Sequence, residues 1–126
     1  MHQAILLRAN KNKEAAKNLN LRLIRSSSAS LPPAVFKDLN DAFNCPVIEA
    51  YGMTEATHQM TSNPLPPKQQ KAGFVGLPAG PEVCIMSENG DMMKQGEEGE
   101  VCIKGENVTL GYENNVEANE TSFTNG

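Results

Sequence analysis

Between Leu21 and Ala50 the chain passes from an apolar run through a small polar run and an amphipathic stretch to a second apolar run, and few folds accept that order. Leu21-Arg22-Leu23-Ile24-Arg25 is short and apolar-rich, and it empties into Ser26-Ser27-Ser28-Ala29-Ser30 as a strand does where it becomes a loop. Pro32-Pro33 sets a helix start. Val35, Phe36, Leu39, Ala42 and Phe43 then recur at three-and-four spacing up to Asn44, and Pro46 stops the helix. Val47-Ile48-Glu49-Ala50 reads as the next strand. Two strands joined by a crossover helix lie parallel in one sheet, so residues 21–50 predict a βαβ unit and an α/β fold class. Upstream, residues 4–9 and 13–19 predict two short helices broken at Asn10-Lys11-Asn12.

From Asn63 the composition turns to Pro64, Pro66, Pro67 and the polar run Lys68 to Lys71. Beyond it, Glu82-Val83-Cys84-Ile85-Met86 and Glu100-Val101-Cys102-Ile103-Lys104 read as strands, with a turn at Glu88-Asn89-Gly90 and glycines at 90, 96, 99, 105 and 111. The expectation here is sheet or barrel architecture without helices. The organisation predicted is an α/β part over 1–63, a linker over 64–81 and a partial β-barrel part over 82–126.

Bulk properties narrow the function classes. A chain of 126 residues buries roughly two-thirds of its surface on folding, but with no Trp, four Phe and two Tyr, its core rests on Leu, Ile, Val and Met. A formal charge of -4, with scattered basic residues, argues against a nucleic-acid surface, which needs clustered Lys and Arg. No apolar run is long enough to span a bilayer. Cys45, Cys84 and Cys102 are odd in number and lie in apolar surroundings, which fits a reducing compartment better than a disulfide framework. With His2 and His58 the only imidazoles, a structural metal cluster is not expected. Cys84 and Cys102, central in their strands, read as small hydrophobes. The Asn-x-Thr triplets at Asn107 and Asn119 matter only in a secreted chain. Met1 to Asn12 contain no Ser and read as helix rather than transit peptide, and Thr124-Asn125-Gly126 is not a peroxisomal tripeptide.

Open α/β sheets bind ligands at the carboxyl ends of their strands, where the backbone lines a crevice. Two segments emerge there: the serine cluster and Tyr51-Gly52-Met53-Thr54-Glu55. An aromatic ring, a glycine, a hydroxyl and a carboxylate are the parts that hold a nucleotide and its metal. Plainer readings stand beside this one. Thr54-Glu55 suits a helix cap with an acid in the first turn, a lone Tyr is commonly packing, and a Ser-rich stretch is commonly a solvated loop, although small side chains also let phosphate approach backbone N–H groups. His58 is an ordinary loop residue or a donor to a substrate carboxylate.

Taken together, Arg25 to Pro32, then Glu49-Ala50-Tyr51-Gly52-Met53-Thr54-Glu55-Ala56-Thr57-His58, then Gly73-Phe74-Val75-Gly76-Leu77-Pro78 and Gly99 to Gly105 resemble successive motifs of the AMP-forming adenylating enzymes, the superfamily of acyl-CoA synthetases, adenylation domains and luciferases. The runs Glu49 to His58, Ser62 to Pro66 and Asn107 to Tyr112 are most similar to the oxalate-CoA ligase branch. The resemblance implies a two-step reaction. A carboxylate attacks the α-phosphate of ATP to give acyl-AMP and pyrophosphate, and the CoA thiol then displaces AMP.

It also implies roles. Tyr51 stacks on adenine, and Ser28, Ala29 and Ala50 line the base and acyl pocket. Glu49, Gly52 and Met53 complete the nucleotide-binding run. Thr54 bonds the α-phosphate, Glu55 helps hold Mg2+, and Ser27 and His58 face the acid substrate. Thr54 and Glu55 are the catalytic candidates. ATP or AMP, Mg2+ and CoA are the implied cofactors and co-substrates, and a small carboxylic acid is the implied partner, in a cytoplasmic or peroxisomal parent.

The family's phosphate loop belongs upstream of Met1. Its ribose-binding Asp belongs just after Gly126, and its catalytic Lys lies in a further C-terminal domain. The chain is therefore expected to be an internal fragment of the large domain, inactive alone. The rival readings are a non-catalytic nucleotide-binding module or inactive relic, and a piece of a medium-chain or aromatic acid ligase.

Overall fold

A computed structural model describes residues 1–124. The C-terminal reading of Asn125 and Gly126, and the end of the part predicted over 82–126, lie outside the described residues. The chain divides into two compact units, one of residues 1–51 and 61–77, the other of residues 52–60 and those from Pro78 onward.

In the first unit the predicted βαβ pattern is present. Strand β1 (Ile24–Ser26) lies parallel to β2 (Val47–Tyr51), with Ile24 opposite Val47 and Ser26 opposite Glu49, and helix α3 (Pro33–Phe43) makes the crossover. Pro33 opens α3, where its missing N–H and fixed φ cost nothing. Asn44, at φ 47° and ψ 42°, closes the helix in the left-handed conformation that Asn tolerates. The apolar stripe of α3 faces inward. Leu39 and Phe43 are buried with Leu6, Ala9, Ala16, Leu31, Cys45 and Val47, and Ile24, Val35, Phe36 and Ala42 pack against them.

Helices α1 (His2–Lys11) and α2 (Lys13–Lys17) cover α3, and the break between them falls at Asn12 alone rather than across residues 10–12. The Asn12 side chain donates to the Arg8 carbonyl at 2.9 Å and so satisfies one orphan acceptor of α1. Strand β1 is shorter than the apolar run implied, because pairing begins only where Ile24 N–H reaches the Pro46 carbonyl at 2.8 Å. Strands β3 (Thr61–Ser62) and β4 (Leu77–Pro78) extend the sheet in the order β1-β2-β3-β4, with β3 antiparallel to β2.

Cys45 sits in this core at 4% exposure, and burial pushes its thiol pKa up. Cys84 and Cys102 are only half-buried. Alkylation at neutral pH, followed by peptide mass spectrometry, should therefore modify Cys84 and Cys102 while Cys45 stays unmodified until denaturant is added. Equal labelling of all three in buffer would show that the α1–α3 core is not formed.

The second unit contains the antiparallel pair β5 (Glu82–Met86) and β6 (Glu100–Lys104), in the register Glu82 opposite Lys104 and Met86 opposite Glu100. Cys84 and Cys102 stand directly opposite each other. The turn after β5 is organised by Ser87, whose carbonyl accepts from Gly90 N–H at 2.9 Å and whose hydroxyl accepts from Asn89 and Asp91 N–H at 3.3 and 3.2 Å. Among the described residues the pair stays open and does not close into a barrel. The expectation of no helix after residue 81 is corrected by α4 (Val116–Ser122). Asn115 caps α4 by accepting from Ala118 N–H at 3.2 Å, and Glu117 sits in its first turn.

Candidate functional site

Because β1 and β2 are parallel neighbours, the serine loop and Tyr51 leave the sheet at the same end. Ser26 is buried. Ser28 takes a left-handed φ of 72°, uncommon for a residue with a side chain, and Arg25 Nη1 donates to Ser27 Oγ at 2.8 Å. Ala29 and Ser30 are exposed. Tyr51 is the first residue of β2 whose side chain leaves the core, after Val47, Ile48, Glu49 and Ala50, which are all buried. Its register partner on β3 is Thr61, also buried, whose Oγ1 has no hydrogen-bond partner among the described residues. The exposed Tyr51 thus stands in register with a buried, unsatisfied hydroxyl.

What holds β2 in place is a polar network centred on Asn63, which is 3% exposed. Asn63 Nδ2 donates to the Glu49 carbonyl at 3.1 Å and to the Phe74 carbonyl at 2.5 Å. Its Oδ1 accepts from Lys71 N–H at 2.7 Å, and its own N–H donates to the Glu49 carbonyl at 2.8 Å. The buried Glu49 carboxylate accepts from Gly73 N–H at 2.8 Å. One Asn and one Glu thus tie the 71–74 loop to the strand that carries Tyr51. Lys71 Nζ lies 3.6 Å from the Phe74 ring centroid and reinforces the loop. Sequence reasoning named Glu49 but missed Asn63. The available signal was an Asn immediately before Pro64, but nothing local marks it as buried.

Gly52 to Met60 belong to the second unit. Thr54–Ala56 form one 3-10 turn with no side-chain cap, so the helix-cap reading of Thr54 does not hold. The Met53 carbonyl accepts from Ala56 N–H at 3.1 Å and His58 N–H at 2.9 Å. Ala56 and Met60 are fully buried, Thr54 is exposed, and Thr57 and His58 take positive φ values of 51° and 61°.

The turn is held from the 105–112 segment. Asn107 Nδ2 donates to the Ala56 and Gln59 carbonyls, each at 3.0 Å, and Thr109 N–H donates to the Glu55 carbonyl at 2.8 Å. Tyr112 Oη donates to Glu55 Oε1 at 2.5 Å. That bond, with a backbone hydrogen bond and the charge of His58 behind it, holds the Glu55 carboxyl below the usual carboxylate range, and the same bond raises the Tyr112 phenol. Beside the turn, a cleft of about 520 Å³ is lined by Thr57, Gln59, Gly80, Lys104 and Asn107.

No group of three or more His, Cys, Asp or Glu able to hold a metal occurs among the described residues. A lone carboxylate still suits Mg2+, which keeps waters and substrate phosphates and takes one or two carboxylates from protein. Glu55 is a single carboxylate of that kind, with the Tyr112 hydroxyl on its Oε1.

The profile of the family described as AMP-binding enzyme matches residues 1–113. Oxalate–CoA ligase of Saccharomyces cerevisiae is 55% identical over 105 residues, 83% of this chain and 19% of that protein. Oxalate–CoA ligase of Arabidopsis thaliana is 50% identical over 127 aligned positions, 100% of this chain and 24% of that protein. The chain therefore spans about a fifth to a quarter of the curated relatives it matches. A solved malonyl-CoA ligase with methylmalonyl-CoA and AMP bound superposes with a TM-score of 0.80 at 31% identity, covering 98% of this chain and 26% of that one. No helix among the described residues is long and apolar enough to cross a membrane.

Proposed function

Because this chain belongs to the AMP-binding enzyme family, we propose that it is a segment of the large domain of an ATP-dependent acid-CoA ligase, and that the acid is oxalate. The observation that carries this reading is the identity of 50–55% to oxalate–CoA ligases over 83–100% of this chain. In the parent enzyme a carboxylate oxygen attacks the α-phosphorus of ATP, pyrophosphate leaves, and the CoA thiol then takes the acyl group and releases AMP.

In this reading the Tyr51 ring stacks on the base, with Ala50 and the Ser28–Ala29 backbone around the base and acid. Glu49 acts through its hold on Gly73, steadying the strand under Tyr51. The Gly52–Met60 segment supplies the phosphate-facing groups. Gly52 and Met53 carry the backbone into the turn, the Thr54 hydroxyl donates to the α-phosphate, and the Glu55 carboxylate holds Mg2+. Ser27 and His58 face the acid. Mg2+ supplies charge neutralisation on the phosphates; positioning and charge compensation make up most of the catalysis in such transfers.

The test is titration calorimetry with AMP. Tyr51→Ala should weaken binding about 5- to 150-fold, the equivalent of roughly 1–3 kcal/mol of base stacking. Equal affinity in the two proteins would remove Tyr51 from the adenine site. No binding by the wild-type chain would favour an inactive relic. Acid preference of the parent, measured as acid-dependent pyrophosphate release, decides between oxalate and a medium-chain or aromatic acid.

A further inference from the structure

Glu55 does not stand alone. Tyr112, 57 residues away in sequence, donates its phenol to Glu55 Oε1 at 2.5 Å and is itself held on two sides. Its backbone N–H donates to Asn119 Oδ1 at 2.6 Å, and Asn119 Nδ2 donates back to the Tyr112 carbonyl at 2.9 Å. Its ring meets Phe123 edge-on, with centroids 5.4 Å apart and planes at 73°. Asn119 lies in α4, whose first turn is capped by Asn115, and Phe123 follows directly at its C-terminal end. A short helix with no buried residue of its own thus fixes one phenol through Asn119 and through the Phe123 that follows it.

We infer that Tyr112 is a positioning residue for the divalent cation: its phenol takes Glu55 Oε1, leaving Oε2 as the oxygen that meets a cation carried in on the phosphates of a nucleotide. This rests on the reading of Glu55 as the metal-holding carboxylate. The physical reason is ordering. A half-buried Glu has several rotamers, and only a subset presents an oxygen to one point in space. A short hydrogen bond from a clamped donor selects that subset before the cation arrives, as outer-shell partners of metal ligands do. Thr109 N–H on the Glu55 carbonyl fixes the backbone end of the same residue, so both ends of Glu55 are held from the 109–112 segment.

The probe is Mn2+, followed by its electron paramagnetic resonance signal, with the 126-residue chain and ATP present. Tyr112→Phe keeps the ring and its edge contact with Phe123 and removes only the hydroxyl. It should weaken Mn2+ in the ternary complex roughly 10- to 100-fold while the affinity for AMP without metal stays at the wild-type value. A role confined to holding the fold predicts the reverse, a lower melting temperature with both affinities changed together. Asn119→Asp keeps the acceptor for Tyr112 N–H and loses the donor to the Tyr112 carbonyl, and it should weaken Mn2+ in the same direction. This second variant carries the test if the first does not fold.

Glu55→Gln separates the two readings. If Glu55→Gln loses the Mn2+ complex but Tyr112→Phe and Asn119→Asp hold Mn2+ as tightly as wild type, the inference about Tyr112 is overturned and the role of Glu55 stands. If Glu55→Gln holds Mn2+ as the wild type does, or the wild type holds none, Glu55 is not the metal carboxylate and the inference falls with it.

Discussion

Gly76→Ala is expected to lower the stability of the β1–β4 unit by about 3 kcal/mol or more, among the larger effects a single methyl group produces. Two causes add. Gly76 has φ +86°, a conformation that costs a residue with a Cβ roughly 1–2 kcal/mol. The added Cβ would also lie 2.0 Å from the Ser62 carbonyl oxygen and 2.3 Å from Asn63 N, and these are backbone atoms that no rotamer change can move away. Relief requires shifting β3 or the 73–76 loop, and both are tied to β2 through Asn63 and Glu49. Thermal unfolding followed by circular dichroism should show the midpoint falling by roughly 10 °C, given about 3–4 °C per kcal/mol for a chain of this size. A fall of a degree or two would mean that the loop packs differently on β3. Gly90, with φ +83° but nothing within reach of a Cβ, is the control, because Gly90→Ala meets the conformational cost alone.

The second large effect is expected at Asn63. Removing its side chain takes one donor from the buried Glu49 carbonyl and leaves the part-buried Phe74 carbonyl and Lys71 N–H without the partners that Asn63 provides, and lost partners of this kind cost roughly 1–3 kcal/mol each. Asn63→Ala should therefore destabilise the first unit by about 2–4 kcal/mol and free the 71–74 loop, seen as faster amide exchange at Lys71 and Gly73.

Asn63→Asp gives a sharper result. At neutral pH the introduced carboxylate would face the Glu49 and Phe74 carbonyl oxygens without the Nδ2 donor. Burial beside acceptors raises the folded-state pKa of that carboxyl above its unfolded value. A carboxyl of this kind binds its proton more tightly when folded, so the variant gains stability as pH falls through the folded pKa and is weakest well above it. Unfolding midpoints measured against wild type should converge toward acid pH. A constant difference across pH would show that the Asn63 amide is not the donor that the two carbonyls use.

Neither the crowding at Gly76 nor the burial of Asn63 was marked in the sequence, whereas the order of elements around them was. The βαβ order was legible because the period changes from strand to helix and back between Leu21 and Ala50, and the α3 stripe from Val35 to Phe43 marks its own buried face. Strands β5 and β6 match the residues 82–86 and 100–104 marked by β-branched patterning. The α4 helix was missed because Val116–Ser122 has no buried residue, and so no apolar stripe. Its signal was the cap at Asn115 rather than a period. The candidate run Tyr51 to Glu55 stands contiguous in the sequence, but the residues that hold it in place were not legible there. Asn63 and Gly73 act on Glu49 from 14 and 24 positions away, Phe74 meets Asn63 from 11, Asn107 and Tyr112 act on the Thr54–Ala56 turn from about fifty, and no short window contains both ends of any of these bonds.

Local chemistry therefore decided which stretches become strand, helix and turn, because those outcomes depend on periods, caps and prolines read over a few neighbours. Only the folded chain decided that an Asn and a Glu tie a loop to β2, that Gly76 has no room for a methyl group, and that a distant phenol takes one oxygen of Glu55. Each of those depends on hydrogen-bond geometry or on a close approach of backbone, and these exist only once segments far apart in sequence are brought within about 3 Å of each other.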